Sequence, residues 1–312
     1  MKKIFLTILI SLCTLGISVA QDLEGATNLY NSAATSLSEG NNSEALSQFQ
    51  QALTMATSLG EEGMDIVNNC KDIIPKLYLA IGKEYAASNN MDNAILSLKK
   101  AIEIAKEYNK EDVLKEASEL IPQILMADAG SFLNSKQFAE AAAAYKKVTE
   151  NDPENGMAFL RMGMALSANG DIDAAVEALT TAINKGEADG AKKQLSNIFL
   201  KKAASFQKAK DMKGALEAGQ KSIEYLDNPI AQKLVGISAL ALKQNKVAAD
   251  AFESYLAQQP EAKDKVQIIY QLGTALSAAG QKDQACGYFK EIVSDAKWGE
   301  AAKYQITILK CN

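Results

Sequence analysis

The 312-residue chain contains no histidine. That absence removes the commonest general base and most metal sites, together with every Ser-His or Cys-His nucleophile pair. No Gly-rich phosphate loop and no dinucleotide fingerprint occurs. Gly170-Asp171-Ile172-Asp173 faintly resembles the start of a calcium loop, but the internal glycine and distal glutamate are missing. It reads as a helix start with acids in its first turn. No catalytic set, cofactor or metal is expected.

Aromatics are scarce at 6%, which disfavours sheets and suits close packing of Ala-rich helices. Beyond residue 20 no stretch is apolar enough for long enough to span a bilayer. The net charge of −5 opposes nucleic acid, and no run of basic residues offers a grip on an anionic membrane. Hydrophobic residues at 47% and charged ones at 23% place the chain with ordinary folded proteins. Its length exceeds what one compact core usually serves, so division or repetition is expected.

The first twenty residues stand apart. Lys2 and Lys3 precede an apolar run that ends in Ser18-Val19-Ala20, the three-part pattern of a secretory signal cleaved after Ala20. A lipoprotein reading through Cys13 is the alternative, weakened because Leu12 stands where that signal wants a small residue. Export follows from either reading, and a chain starting at Gln21 carries a charge of −7, with 31 basic residues against 38 acidic.

A small residue followed twelve positions later by Ala recurs seven times: Ala33/Ala45, Gly82/Ala94, Ala129/Ala141, Gly163/Ala175, Ala203/Ala215, Gly236/Ala248 and Gly273/Ala285. Four residues on stands a large side chain, namely Phe49, Leu98, Tyr145, Leu179, Phe252 or Phe289, except that the fifth unit has Gly219. Positions three and four apart share a helix face, so each unit predicts two helices joined by a turn, crossing closely at the small residues. Gly40, Asn89, Gly170 and Gly280 are placed to stop first helices. Asp171, Asp92 and Ser43 are placed to begin second helices. Asn41-Asn42-Ser43 also fits a glycosylation sequon, but Ser43 is read as a cap. Pro153 and Pro260 follow second helices.

This pattern resembles the tetratricopeptide repeat, a 34-residue helical hairpin, over roughly residues 26–293. The consensus first-helix tryptophan is absent throughout. Ala45 to Ala94 and Ala94 to Ala141 are longer than one repeat, and the extra segments align with each other through Pro75 and Pro122. Lengthened first helices in repeats two and three are the expectation. The resulting fold is an all-α right-handed solenoid of about seven hairpins. Repeats one to four occupy 21–183, a hinge candidate 184–195, repeats five to seven 196–293, and a capping helix and tail 294–312.

Cys70 aligns with Ala117 and reads as a small packed residue. Cys286 and Cys311 fall on a second helix and beyond the covering helix. In an oxidising compartment they can pair and clamp the C-terminal end. Two free thiols are the alternative, because straight helices carry Cys311 past Cys286.

The resemblance implies that first-helix positions 2, 5, 9 and 12 line a groove for a peptide or helix of a partner protein. Those positions hold Tyr30, Lys76, Leu79, Lys83, Gln123 and Met126, then Met157, Leu160, Met164, Asn197, Leu200 and Gln207, then Lys233, Ile237, Gln267 and Tyr270. The Met-rich middle suits adaptable contacts, unless Met157, Leu160 and Met164 pack against neighbouring repeats. The Lys and Asn set that grips C-terminal carboxylates in chaperone-binding members is missing. A non-enzymatic scaffold in a Gram-negative envelope is expected. The alternative is a structural subunit docking through its convex or end surfaces. Oligomeric state is not legible.

Overall fold

The computed structural model describes residues 22–312, and among these it is helical throughout, with no strand. The signal segment expected at 1–20 lies outside the described residues. The helices are α1 (22–38), α2 (Asn42–Ser58), α3 (Met64–Ala87), α4 (Met91–Glu107), α5 (Glu111–Asn134), α6 (Phe138–Asn151), α7 (Gly156–Asn169) and α8 (Ile172–Asn184). They continue with α9 (Ala188–Lys208), α10 (Met212–Tyr225), α11 (Pro229–Ala241), α12 (Asn245–Gln258), α13 (Lys265–Ala278), α14 (Lys282–Glu291) and α15 (Gly299–Leu309).

Two compact units divide the chain. One runs to Glu140 and includes Glu150–Asp152; the other comprises Ala141–Thr149 and Pro153–Asn312. In the first unit α2, α3, α4 and α5 pack in sequence and α3 also touches α5. In the second, each helix from α7 to α15 packs on the next, and the first helices α7, α9 and α11 touch in turn.

The small-to-large pairing read from the sequence is what lets the hairpins close. A methyl on Gly163 would stand 2.6 Å from Leu179 Cγ, and one on Gly236 would stand 2.6 Å from Phe252 Cδ1. Corresponding methyls on Gly82 and Gly273 would meet Leu98 and Phe289 at 2.8 Å. Carbon atoms attract best at about 3.5–4.0 Å, so the missing Cβ is the space the large side chain uses. Leu98, Leu179, Phe252 and Phe289 are accordingly fully buried.

The fifth repeat solves the same problem differently. Gly219 leaves the large-residue slot empty, and Val235 of α11 enters it, with Cγ2 2.7 Å from where a Gly219 methyl would stand. Beside it, the buried Ser222 hydroxyl donates to the Ser196 carbonyl at 2.9 Å, and the two serine hydroxyls lie 3.0 Å apart. Asn228 donates to Ser196 Oγ at 3.3 Å, so these polar atoms are satisfied inside the core.

The turn inside each hairpin has one conformation. The residue seven past the small one is left-handed in all seven repeats: Gly40, Asn89, Lys136, Gly170, Lys210, Lys243 and Gly280, with φ between 59° and 97°. Four of these were expected from their identity, and the three lysines were not. Asp171 begins its helix as expected. Ser43 and Asp92 lie inside the first turns of α2 and α4, two residues past Asn41 and Asn90, which hold the N-cap positions.

The long helices α3 and α5 each run 24 residues with Pro75 and Pro122 inside them. Each proline removes the amide hydrogen bond to a carbonyl one turn back, Lys71 and Ser118 respectively. The hinge candidate 184–195 is a turn at 185–187, with Gly186 left-handed, followed by the first two turns of α9. Ala191 and Leu195 in that stretch are fully buried, so its polar letters lie on the outer side of a packed helix.

At the C-terminus α15 packs on α14 through Ala302, Ile306 and Leu309. Lys310 ends it in a left-handed conformation with φ 50°, which turns the chain ahead of Cys311. Cys286 and Cys311 are joined as a disulfide with Cα atoms 5.7 Å apart.

Candidate functional site

The first-helix positions do not form one uniform surface. In the first unit Tyr30 is half-buried and meets Phe49 edge-on, with ring centres 5.3 Å apart. Leu79 is buried and belongs to the packing between helices, so it offers nothing to a groove. Lys83 is exposed but bonded to Glu116 of α5 at 2.6 Å. Lys76 is bonded to Asp72 at 2.6 Å, and Asp72 also receives Lys110 at 2.7 Å. Hydrogen bonds from Lys110 and Lys76 hold the Asp72 carboxyl below its usual range. Gln123 is exposed and Met126 half-buried.

In the second unit the Met-rich centre is mainly packing. Leu160 is buried, and its Cδ2 lies 2.8 Å from where a methyl on Gly190 of α9 would stand. Met157 and Met164 are half-buried against the cluster containing Leu160, Leu195, Ile198 and Phe199. These three residues therefore join α7 to its neighbours. The sequence could not separate this from a groove, because the clearance depends on a glycine thirty residues away.

The surface remaining on the second unit's first helices is more mixed. Asn197 is exposed, and Gln207 is half-buried. Leu200 is half-buried against Ala203, Ala218 and Leu234. Ile237 and Gln267 are half-buried, and Tyr270 is packed edge-on to Phe289 and 5.0 Å from the Trp298 ring. Lys233 is engaged: its ammonium lies 3.0 Å from Asp264 and 5.4 Å over the Tyr255 ring. The Tyr255 hydroxyl donates to the other Asp264 oxygen at 2.7 Å. Burial raises the Asp264 carboxyl, but the bonds from Tyr255 and Lys233 outweigh it and leave the group below its usual range. Burial and the neighbouring carboxylate push the Tyr255 hydroxyl up to about 12.

Several exposed apolar residues escaped the sequence reading. Ile230, at position 2 of repeat six, is 56% exposed, seven residues before Ile237 on the same helix face. Leu37 holds position 12 of repeat one. Tyr304 and Ile308 of α15 are 65% and 55% exposed, and they stand one repeat length beyond Tyr270 and Thr274. Counting the register through the last helix would have found all four.

Among the described residues no group of three or more Cys, Asp or Glu side chains converges to hold a metal. Cys70 is buried, and burial pushes its thiol up to about 11, which keeps it protonated at neutral pH. A shallow cavity of about 720 Å³ between α1 and α2 is lined by Leu29, Met55, Asp22 and the hydroxyl and amide side chains of Ser47, Gln50 and Thr54. It contains a single carboxylate and no partner for acid–base work.

Family models described as tetratricopeptide repeat match residues 75–108, 132–192 and 267–296. These stretches carry tetratricopeptide repeats. The first and last of these stretches coincide with the second and seventh hairpins counted above. No curated protein matches the sequence. Among solved structures, the chain is similar to the MamA protein, with 22% identity over 59% of this chain and 94% of that one, at a TM-score of 0.36. It is also similar to YrrB, described as a tetratricopeptide protein with an unusual peptide-binding site, with 17% identity, 58% and 91% coverage and a TM-score of 0.34. MamA from Desulfovibrio magneticus RS-1 matches with 17% identity, 55% and 92% coverage and a TM-score of 0.34. Tetratricopeptide repeats serve as protein-interaction scaffolds, and no helix among the described residues is long and apolar enough to cross a membrane.

Proposed function

We propose that this protein is an exported, non-enzymatic scaffold of a Gram-negative envelope, and that the first-helix face of its second unit holds a peptide or helix of a partner protein. The observation that carries this reading is the exposed Ile230, set beside half-buried Leu200 and Ile237 on adjoining first helices α9 and α11. Apolar anchors of this kind, with the amides of Asn197 and Gln207 also on α9, suit a segment with spaced hydrophobic residues and satisfiable backbone groups. Export rests on the leader pattern of residues 1–20, and the Cys286–Cys311 bond fits an oxidising compartment.

Affinity capture from envelope extract tests the reading, with the wild type beside Ile230→Glu. Ile230 is exposed enough for the variant to fold. A protein retained by the first and lost by the second places the contact on this face. Equal capture by both moves it elsewhere.

The second reading, an assembly subunit docking through its end, is favoured by one observation: Tyr304 and Ile308 stand exposed on the terminal helix α15. Terminal helices of repeat arrays usually present a polar outer side. Capture lost in Tyr304→Glu but kept in Ile230→Glu would select this reading.

A further inference from the structure

Charge is unevenly shared within the second unit. Its first helices α7, α9, α11, α13 and α15 carry nine basic residues against two acidic, whereas its second helices α8, α10, α12 and α14 carry five against eight. The chain as a whole is acidic, so its composition hides this segregation. Most of the excess sits on α9. Successive steps of about 100° place Lys193, Lys201 and Lys208 on the side of α9 that also carries Asn197 and Leu200. They are spaced roughly 10–12 Å along the axis, about two helical turns each. All three are exposed, and none forms an ion pair among the described residues. One acid, Asp189, shares this side at the start of the helix. Three other first-helix lysines are paired internally: Lys83 with Glu116, Lys76 with Asp72 and Lys233 with Asp264.

We infer that the α9–α11 face selects an acidic protein segment, one whose carboxylates run along Lys193, Lys201 and Lys208 while apolar side chains seat on Leu200, Ile230 and Ile237. This rests on the reading of the first-helix face as the partner site and adds the chemistry of the partner. The lysines supply long-range attraction and reject basic segments; the apolar residues supply the contact that excludes water. A protein segment answers both features. A phosphate polymer has no use for Ile230 or Ile237 and is opposed by the net charge of −5. An internal acidic stretch fits better than a free C-terminus, because Lys193, Lys201 and Lys208 span roughly 22 Å of the helix axis, more than one terminal carboxylate can reach.

The test is selection of a random dodecapeptide display library on the purified protein. It is repeated on Lys193→Glu/Lys201→Glu/Lys208→Glu, on Ile230→Glu, and on the second-helix control Lys213→Glu/Lys246→Glu. The wild type and the control should enrich peptides with two or more net negative charges and interspersed apolar residues. The best of these should weaken about 30-fold on the triple variant at 0.15 M salt, roughly threefold for each lysine reversed. Enrichment that depends on Ile230 but shows no acidic bias, or that survives the triple reversal, overturns the acidic preference and leaves the face as a peptide site. Enrichment indifferent to both Ile230 and the lysines overturns the site itself and the acidic preference with it. Tighter lysine-dependent binding of a 20-nucleotide DNA or of phosphatidylglycerol vesicles than of the best peptide would assign the track to another polyanion and overturn the proposal.

Discussion

The same substitution, Gly to Ala in a helix, should have opposite signs at two places in the second unit. Gly287 lies on α14 with nothing within 4 Å of where its Cβ would be. Replacing it with Ala should stabilise by about 0.5–1 kcal/mol, the ordinary difference in helix propensity. Gly163 gains the same propensity, but its new methyl would lie 2.6 Å from Leu179 Cγ, 2.9 Å from Cδ2 and 3.2 Å from the Ala175 carbonyl oxygen. Leu179 is fully buried and has no free direction of retreat. Overpacking of this kind costs about 1–3 kcal/mol, so Gly163→Ala should be destabilising by up to about 2 kcal/mol net. Leu179→Ala alone should cost about 2–5 kcal/mol. In the double variant the new methyl partly fills the hole, so the two effects should fall short of additivity by at least about 1 kcal/mol. Urea unfolding followed by circular dichroism measures all four proteins. If Gly163→Ala stabilises as much as Gly287→Ala, or if the double variant is additive, the helix crossing is not held by this glycine–leucine pair.

Three further outcomes are expected. Glycine at Lys136, Lys210 or Lys243 should stabilise by about 0.5 kcal/mol each in the same assay, because relief of a left-handed side chain (about 1–2 kcal/mol) exceeds the added freedom of the unfolded chain. The Asp264 carboxyl is held below its usual range, so its bonds to Tyr255 and Lys233 stabilise the fold fully above about pH 4. That contribution is lost as the pH falls through the lowered value, and Asp264→Asn should flatten the melting temperature across that window. Cys311→Ser should release the closure between positions 286 and 311, 25 residues apart, and lower stability by roughly 3.5 kcal/mol under non-reducing conditions; an unchanged urea midpoint would contradict this.

What the letters carried and what they did not follows from where each constraint resides. The pairs Gly82/Leu98, Gly163/Leu179, Gly236/Phe252 and Gly273/Phe289 were legible because both members lie in one hairpin and side-chain size is written in the residue name. Lys136, Lys210 and Lys243 hid their turns because lysine carries no signal for left-handed backbone; their register alone announced them. In the fifth repeat the filling of the Gly219 slot by Val235 crosses from one hairpin to the next, which spacing within a repeat cannot report. The candidate surface was legible as a register but not as a surface. Leu79 and Leu160 hold the right positions and are buried, while Ile230, Tyr304 and Ile308 hold them and are exposed. The basic side of α9 was missed for a related reason: Lys193, Lys201 and Lys208 are scattered in sequence and align only on a helix.

Photo-cross-linking in the native envelope tests the central account most directly. A benzophenone amino acid replaces Ile230 on α11 in one strain and the exposed Glu217 on α10 in another. The account predicts a discrete cross-linked protein partner from position 230 and none from 217. A partner trapped only from 217, or with equal yield from both, would contradict a binding face on the first helices.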